Sequence, residues 1–374
     1  VKHLDVLVVG LGAMGSAALY HLARRGVRVA GFDAYAPPHT MGSSHGETRM
    51  IREAYYEDPR YVPLLRRAYE LWHDLAREVG ESLIEETGGV FMGPPEGQFV
   101  AGIERAGREH AIAIERLSGA TLAARAPWLH VPENMVAVTE PRAGWLRPER
   151  CIDAHLRLAA AAGAEIHTEE PVERWRPDGD GIVVETARGR YAASKVILCA
   201  GAGMTEWLAD AGIATTVTRQ FGFWFEPTRD SAKLQSVWAI QIDERRLLYG
   251  FPDIGSGLKA AIHYGGSTTT WESVDRVAKN EEASEVVELL GRYLPGVHGK
   301  LMRGIVCLYT NTRDLHFTID AHPVHANALV VSACSGHGFK CASAIGEAAS
   351  QWALDGKATV DLSLFSLDRL RARP

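Results

Sequence analysis

Six residues near the start, Gly10-Leu11-Gly12-Ala13-Met14-Gly15, constrain the fold of this 374-residue chain more than any others. An apolar run at residues 4–9 precedes them. A helical pattern follows to about Gly26, and a second apolar run at 27–32 ends in Asp33. Strand, glycine turn, helix and second strand make a βαβ unit, whose two strands lie parallel in a buried sheet. Each glycine has its own task there. Gly10 permits the tight turn, Gly12 lets backbone approach a pyrophosphate, and Gly15 lets the helix pack on the strand. The helix N-terminus adds unpaired N–H groups and partial positive charge for phosphate. Asp33 would accept hydrogen bonds from ribose hydroxyls and disfavour a 2′-phosphate. The unit therefore predicts NAD or FAD over NADP, and does not by itself separate the first two.

Further along, Tyr61, Leu64, Leu65, Ala68, Leu71, Trp72 and Leu75 recur at helical spacing, with Gly80 as a stop. Residues 88–92 read as strand, 104–116 as helix then strand, and 151–162 as helix. From 165 to 198 short strands alternate with turns such as Asp178-Gly179-Asp180-Gly181, and 195–201 is an apolar strand ending in glycine. Aromatic strands at 221–225 and 247–251 and a helix near 282–293 fill the middle. A strand at 328–333, a glycine-rich turn and a small-residue helix at 342–353 close the pattern. Strand-and-helix units at both ends, with aromatic β-structure between, predict two interleaved domains.

Composition narrows the class. The chain is 46% hydrophobic and 23% charged, with a formal charge of −6 and no basic run. Nucleic acid and acidic membrane surfaces are therefore not expected as partners. No apolar stretch approaches the ~20 residues that span a bilayer. The first residues lead straight into the glycine motif, unlike a secretory signal. Five cysteines without a CxxC pair predict neither a disulfide scaffold nor a metal site. The expectation is a reduced, cytoplasmic enzyme.

Beyond the glycine unit come Pro37-Pro38-His39-Thr40, Gly46-Glu47-Thr48-Arg49 with Arg52, and Tyr249-Gly250-Phe251-Pro252. Gly257-Leu258-Lys259 with His263, residues 303–310 around Cys307, and Ser335-Gly336-His337-Gly338-Phe339-Lys340 follow in order. In these motifs, over essentially its whole length, the chain resembles the monomeric sarcosine oxidase family, which includes N-methyltryptophan oxidase, within the D-amino acid oxidase-like superfamily. The resemblance implies an α/β fold. A Rossmann-like FAD-binding domain (1–84, 145–212 and 313–374) would be interleaved with an α+β, mixed-sheet substrate domain (85–144 and 213–312). It also implies FAD, a monomer, and a small secondary amino acid and O2 as the reacting partners. Sarcosine or a bulkier N-methyl amino acid would be oxidised to an imine that hydrolyses to aldehyde and amino acid, with H2O2 formed. Oxidation of a cyclic secondary amino acid of the proline or pipecolate type, or a flavin dehydrogenase with another acceptor, are the alternatives.

Cys307 lies in an apolar run, where a cysteine is ordinarily a small buried hydrophobe. The resemblance implies instead a thioether to the flavin, for which the thiolate is the nucleophile. Only eight of the 40 basic residues are lysines, so Lys259 and Lys340, in apolar and glycine-rich segments, invite a specific reason. Lysine is a compact point charge suited to a small ligand. The resemblance places Lys259 at the flavin edge, where a fixed cation assists O2. It makes Arg52 and Lys340 a substrate carboxylate clamp. The bland alternative for Arg52 is a surface ion pair with a neighbour such as Glu53 or Glu57. Arg49 and His45 are implied against the flavin, and Tyr249, His263 and Tyr309 in the substrate pocket. Lys259, Arg49, His263, His45 and Tyr249 form the candidate catalytic set. Gly336 is implied in both flavin and substrate binding. Ser43, Thr48, Arg49, Gly338 and Lys340 join Gly10, Gly12, Gly15, Asp33 and Cys307 as cofactor contacts. An apolar Ile240 near the pocket would suit a side chain larger than that of sarcosine. The chain departs from the family pattern at Ser44, Glu53, Cys341 and residues 240–248.

Overall fold

The structure, a computed structural model, describes residues 2–210 and 212–370. Residues 1, 211 and 371–374, which the expected domain spans include, lie outside the described residues. The strand Lys2–Val9 pairs in parallel with Val29–Phe32, and the helix Ala13–Arg24 connects them. Lys2–Val9 also pairs in parallel with Gly189–Leu198, and Val29–Phe32 with Glu165–His167. Sandwiched between layers, these strands are apolar on both faces: Val6, Leu7, Val8, Ala30 and Phe32 are all buried. Gly189–Leu198 is long enough to serve two further neighbours. Its first half pairs antiparallel with Gly181–Thr186, and its last residues pair in parallel with Ala328–Ser332. The C-terminal part of the chain thus completes the sheet begun at residue 2. The helix Ala342–Asp355 is rich in small residues because it lies close on Ala13–Arg24, with Gly346 directly against Ala17.

A second, nine-stranded sheet runs Thr268–Thr269, Thr216–Pro227, Leu258–His263, Leu247–Phe251, Val237–Gln241, Gly89–Gly93, Val136–Glu140, Glu115–Leu117, with His298–Asn311 also on Thr216–Pro227. Its pairings are antiparallel except that of Val237–Gln241 with Gly89–Gly93. The helix Ser284–Tyr293 packs on one face, in a core with Phe223, Phe225, Trp238, Ile240 and Leu248. The strands of the two sheets interleave along the chain, the mixed α/β arrangement expected. A third, small sheet of Arg49–Ile51, Gly144–Leu146 and Ile84–Glu86 carries Arg49. The helix Val62–Val79 stops at Gly80, whose φ of +68° is the left-handed cap.

Candidate active site

One cavity is lined by residues of both large sheets. It begins at Gly10, Gly12 and Asp33, passes Ser43, Arg49 and Cys307, and reaches Arg52, Tyr249, Lys259, His263, Tyr309, Gly336, Gly338 and Lys340. Gly15, Thr48 and His45 stand just behind this lining.

The first end fits a dinucleotide. Gly10 has φ +87°, and a Cβ on Gly15 would lie 1.7 Å from Gly10 O, so these two let turn, helix and strand meet. Gly12 differs. A Cβ there would meet nothing nearer than Ser44 Oγ at 4.0 Å, so its Cα faces open cavity. As N-cap of Ala13–Arg24 it offers no side-chain partner, which leaves helix N–H groups for a phosphate. Asp33 is oriented by the Leu11 and Tyr35 N–H groups, at 2.7 and 2.9 Å, with His39 Nε2 at 3.3 Å.

At mid-cavity, Cys307 Sγ lies 3.7 Å from both Arg49 Nη2 and His45 Nε2. Burial alone would raise the thiol's pKa. The His45 hydrogen bond and the Arg49 charge outweigh it and bring the group to about 7. Arg49 donates to Thr48 O at 2.8 Å and Ser43 O at 2.7 Å, and Ser43 Oγ to Leu308 O at 2.6 Å. Ser43 therefore clasps the strand that carries Cys307. Lys259 Nζ donates to Gly46 O (2.6 Å), Thr48 O (3.0 Å) and Thr48 Oγ1 (3.1 Å). Burial, then the Arg49 charge, lowers its pKa to about 7. The turn it grips has φ +100° at Gly46 and +67° at Glu47, and both N–H groups donate to Glu149, at 2.6 and 3.1 Å. The sequence reading had no role for Glu149.

Strand periodicity assembles the far end. Lys259 and His263 share the cavity face of their strand, and pair with Phe251 and Leu247 of the next. Tyr249 pairs with Ala239, which also lines the cavity. Ile240 pairs with Leu248 and points into the core behind the sheet, so the expected pocket role for Ile240 is wrong. The cause is parity, since one residue along a strand reverses the face. Arg246, in the adjoining turn, instead ties that turn to the helix Ser284–Tyr293 through Glu285 at 2.8 Å. His263 Nδ1 is 3.0 Å from Tyr309 OH, and burial, then His337, lowers its pKa to about 3. It stays neutral.

Arg52 is buried and does pair with Glu57, Nη2 to Oε2 at 2.9 Å, while Nη1 donates to Ala54 O at 2.7 Å. Its guanidinium lies 4.8 Å from the ring centres of both Tyr55 and Tyr56. Lys340 Nζ donates to His337 O at 2.7 Å and to Tyr55 OH at 3.4 Å. Burial, then the Arg52 charge, lowers Lys340 to about 8. Tyr55 therefore joins the two cations, its hydroxyl 2.5 Å from His337 Nδ1. Sequence reasoning missed Tyr55, although its place three residues after Arg52 was a signal. Met50, Tyr56, Phe99, Leu247 and Phe251 give the same end an apolar wall. Among the described residues, no group of three or more His, Cys, Asp or Glu side chains is placed to hold a metal ion. Nor is any helix long and apolar enough to cross a membrane.

Known proteins resemble this chain in sequence and in fold. Residues 5–352 match the family described as FAD dependent oxidoreductase. A monomeric sarcosine oxidase of Streptomyces avermitilis is 39% identical over 99% of this chain and 98% of its own length. An N-methyl-L-tryptophan oxidase of Yersinia pestis is 36% identical over 98% of this chain and 99% of its own. In fold alone, the L-proline dehydrogenase of P. horikoshii superposes with a TM-score of 0.84 at 19% identity, covering 100% of both chains. The chain belongs to the FAD dependent oxidoreductase family, in the branch of monomeric sarcosine oxidase and N-methyl-L-tryptophan oxidase.

Proposed function

We propose that this protein oxidises the C–N bond of a secondary amino acid of the N-methyl class. The imine formed hydrolyses to an aldehyde and an amino acid, and O2 is reduced to H2O2. One observation carries the reading: a buried Arg52–Lys340 cation pair shares a cavity with the Cys307, Arg49 and Lys259 cluster, beyond a dinucleotide cradle. The names of the two relatives, both acting on N-methyl amino acids, support it. FAD, when bound, supplies a two-electron acceptor that passes its electrons on to O2.

The protein's own side chains do the rest. Arg52 and Lys340 hold the substrate carboxylate, because a carboxylate in a water-excluded pocket requires charged partners. Tyr249, His263 and Tyr309 position the amine end. His263, kept neutral by burial, accepts a hydrogen bond but is too weak a base at pKa about 3 to draw off much of the ammonium proton. Lys259, fixed by three oxygen acceptors, supplies the cation that favours charge developing on O2. His45 and Arg49 favour the Cys307 thiolate, and Cys307 would be the residue that tethers the flavin. Ala239 presents only a methyl group beside the apolar wall, which suits a substrate side chain larger than the hydrogen of sarcosine.

The stretches 1–84, 145–212 and 313–374 are assigned to FAD binding, and 85–144 and 213–312 to substrate binding. We place the enzyme in the cytoplasm as a monomer, where free cysteines such as Cys151, Cys199 and Cys341 persist. The test is peroxide release from sarcosine, N-methyl amino acids of increasing apolar bulk, proline and pipecolate. The reading predicts release from N-methyl substrates, fastest with apolar side chains. Release from the cyclic amino acids alone, or reduction of an artificial acceptor without peroxide, would replace it.

A further inference from the structure

Trp271 lies in the cofactor cavity, yet neither the motif resemblance nor the reaction assigns it a task. It belongs to the second sheet's side of the molecule. The strand Thr268–Thr269 pairs with Val217 and Thr218, and the chain then leaves the sheet as a strap at residues 270–276. Thr270 and Ser273 cap each other across the tip, Thr270 Oγ1 to Ser273 Oγ at 2.9 Å and Ser273 N to Thr270 Oγ1 at 3.2 Å. Trp271 and Glu272 therefore sit in a fixed turn. The strap's far side is tied at two points. Arg276 Nη1 donates to Met41 O at 2.7 Å, joining it to the loop after Asp33, and buried Arg219 Nε donates to Asp275 O at 2.6 Å.

The direction of the strap gives Trp271 its meaning. Its ring centre is 5.7 Å from that of Tyr35, Tyr35 is 5.1 Å from His39, and His39 Nε2 is 3.3 Å from Asp33 Oδ1. Trp271 is thus two side chains away from the acid that marks the ribose position. Tyr35 and Trp271 are both half-buried and both line the cavity beside Asp33 and Ala34, and the Arg276 guanidinium lies 5.3 Å from the Trp271 ring centre. A flat ring surface at the ribose end is placed to meet a purine face, because the adenine lies next to the ribose and the isoalloxazine ring at the other end of the dinucleotide. We infer that Trp271, with Tyr35, forms an aromatic wall for the adenine of FAD, and that residues 270–276 act as a strap from the substrate side across the nucleotide. The inference concerns retention of the dinucleotide and holds whichever amino acid is oxidised.

Its test separates the two halves of the cofactor. In the full-length Cys307→Ala chain, where flavin is exchangeable, dissociation constants for FAD and for FMN are measured by flavin fluorescence, with and without Trp271→Ala. FMN carries the isoalloxazine ring but no adenine. The ratio of the FMN to the FAD constant should fall about tenfold on Trp271→Ala, through weaker FAD binding. Trp271→Phe, which keeps a ring, should restore most of it. An unchanged ratio, whether both constants stay the same or both rise together, overturns the inference.

Discussion

Cys307 shows how much a residue's surroundings decide. In an apolar strand it would be inert, and burial does hold Cys151, Cys199 and Cys341 above the ordinary thiol range. Cys307 alone has a histidine hydrogen bond and a guanidinium at 3.7 Å, and its pKa falls to about 7. In flavin-free protein, iodoacetamide should label Cys307 first, with a rate that rises through a midpoint near pH 7. Peptide mapping across pH 5–9 checks this, and labelling of another cysteine first would remove the assigned nucleophile. Arg52 makes a second case. It pairs with Glu57, one of the partners a plain reading of the sequence offered, yet the pair is buried and lines the cavity. Arg52→Ala should weaken binding of carboxylate substrates by about 2–5 kcal/mol, at least thirtyfold, while non-carboxylate amines lose little. Substrate binding followed by flavin absorbance measures both.

The elements explain what was readable and what was not. The βαβ unit was legible because glycines at 10, 12 and 15 and two apolar runs leave one geometry open. The sheet behind the substrate end was not. Arg49–Ile51, Ile84–Glu86 and Gly144–Leu146 are three residues each, too short for a period to show. Val237–Gln241 was unrecognised as a strand, so its parity was unknown and Ile240 was chosen where Ala239 faces the cavity. Side chains that act by long-range contact, such as Glu149 on the Gly46–Glu47 turn and Glu140 on the Glu53 and Ala54 N–H groups, leave no local signature. The pocket assignment makes paired predictions. Ala239→Met should raise the KM for bulky N-methyl substrates about tenfold or more and spare sarcosine. Ile240→Met, facing the core, should cost under about 1.5 kcal/mol of stability and leave the substrate preference as it was. Steady-state peroxide assays with two substrates decide, and the reverse pattern would restore Ile240 to the pocket.

For the whole molecule, an active site built from buried lysines costs stability in a definite pH window. Lys259 and Lys340 have folded-state pKa values of about 7 and about 8, against ~10.4 in an unfolded chain. Between these values the unfolded state binds more protons than the folded one, so stability rises with pH from about 7 towards 10. Urea unfolding of flavin-free protein at pH 7 and 9.5 should show the rise, and Lys259→Met or Lys340→Met should each flatten it. An unaltered pH slope in both variants would mean that burial lowers the pKa of neither lysine. Residues of both large sheets line this cavity, so the proposed cofactor and substrate would be held by different parts of the chain around the same buried charges. That joint arrangement is what the proposed oxidation requires. It is tested most directly by mixing the purified flavoprotein anaerobically with an N-methyl amino acid bearing an apolar side chain, then admitting O2. The account predicts that the flavin absorbance bleaches fully, and that O2 restores it with one H2O2 released per flavin. Flavin that stays oxidised with every N-methyl amino acid tried would contradict the account.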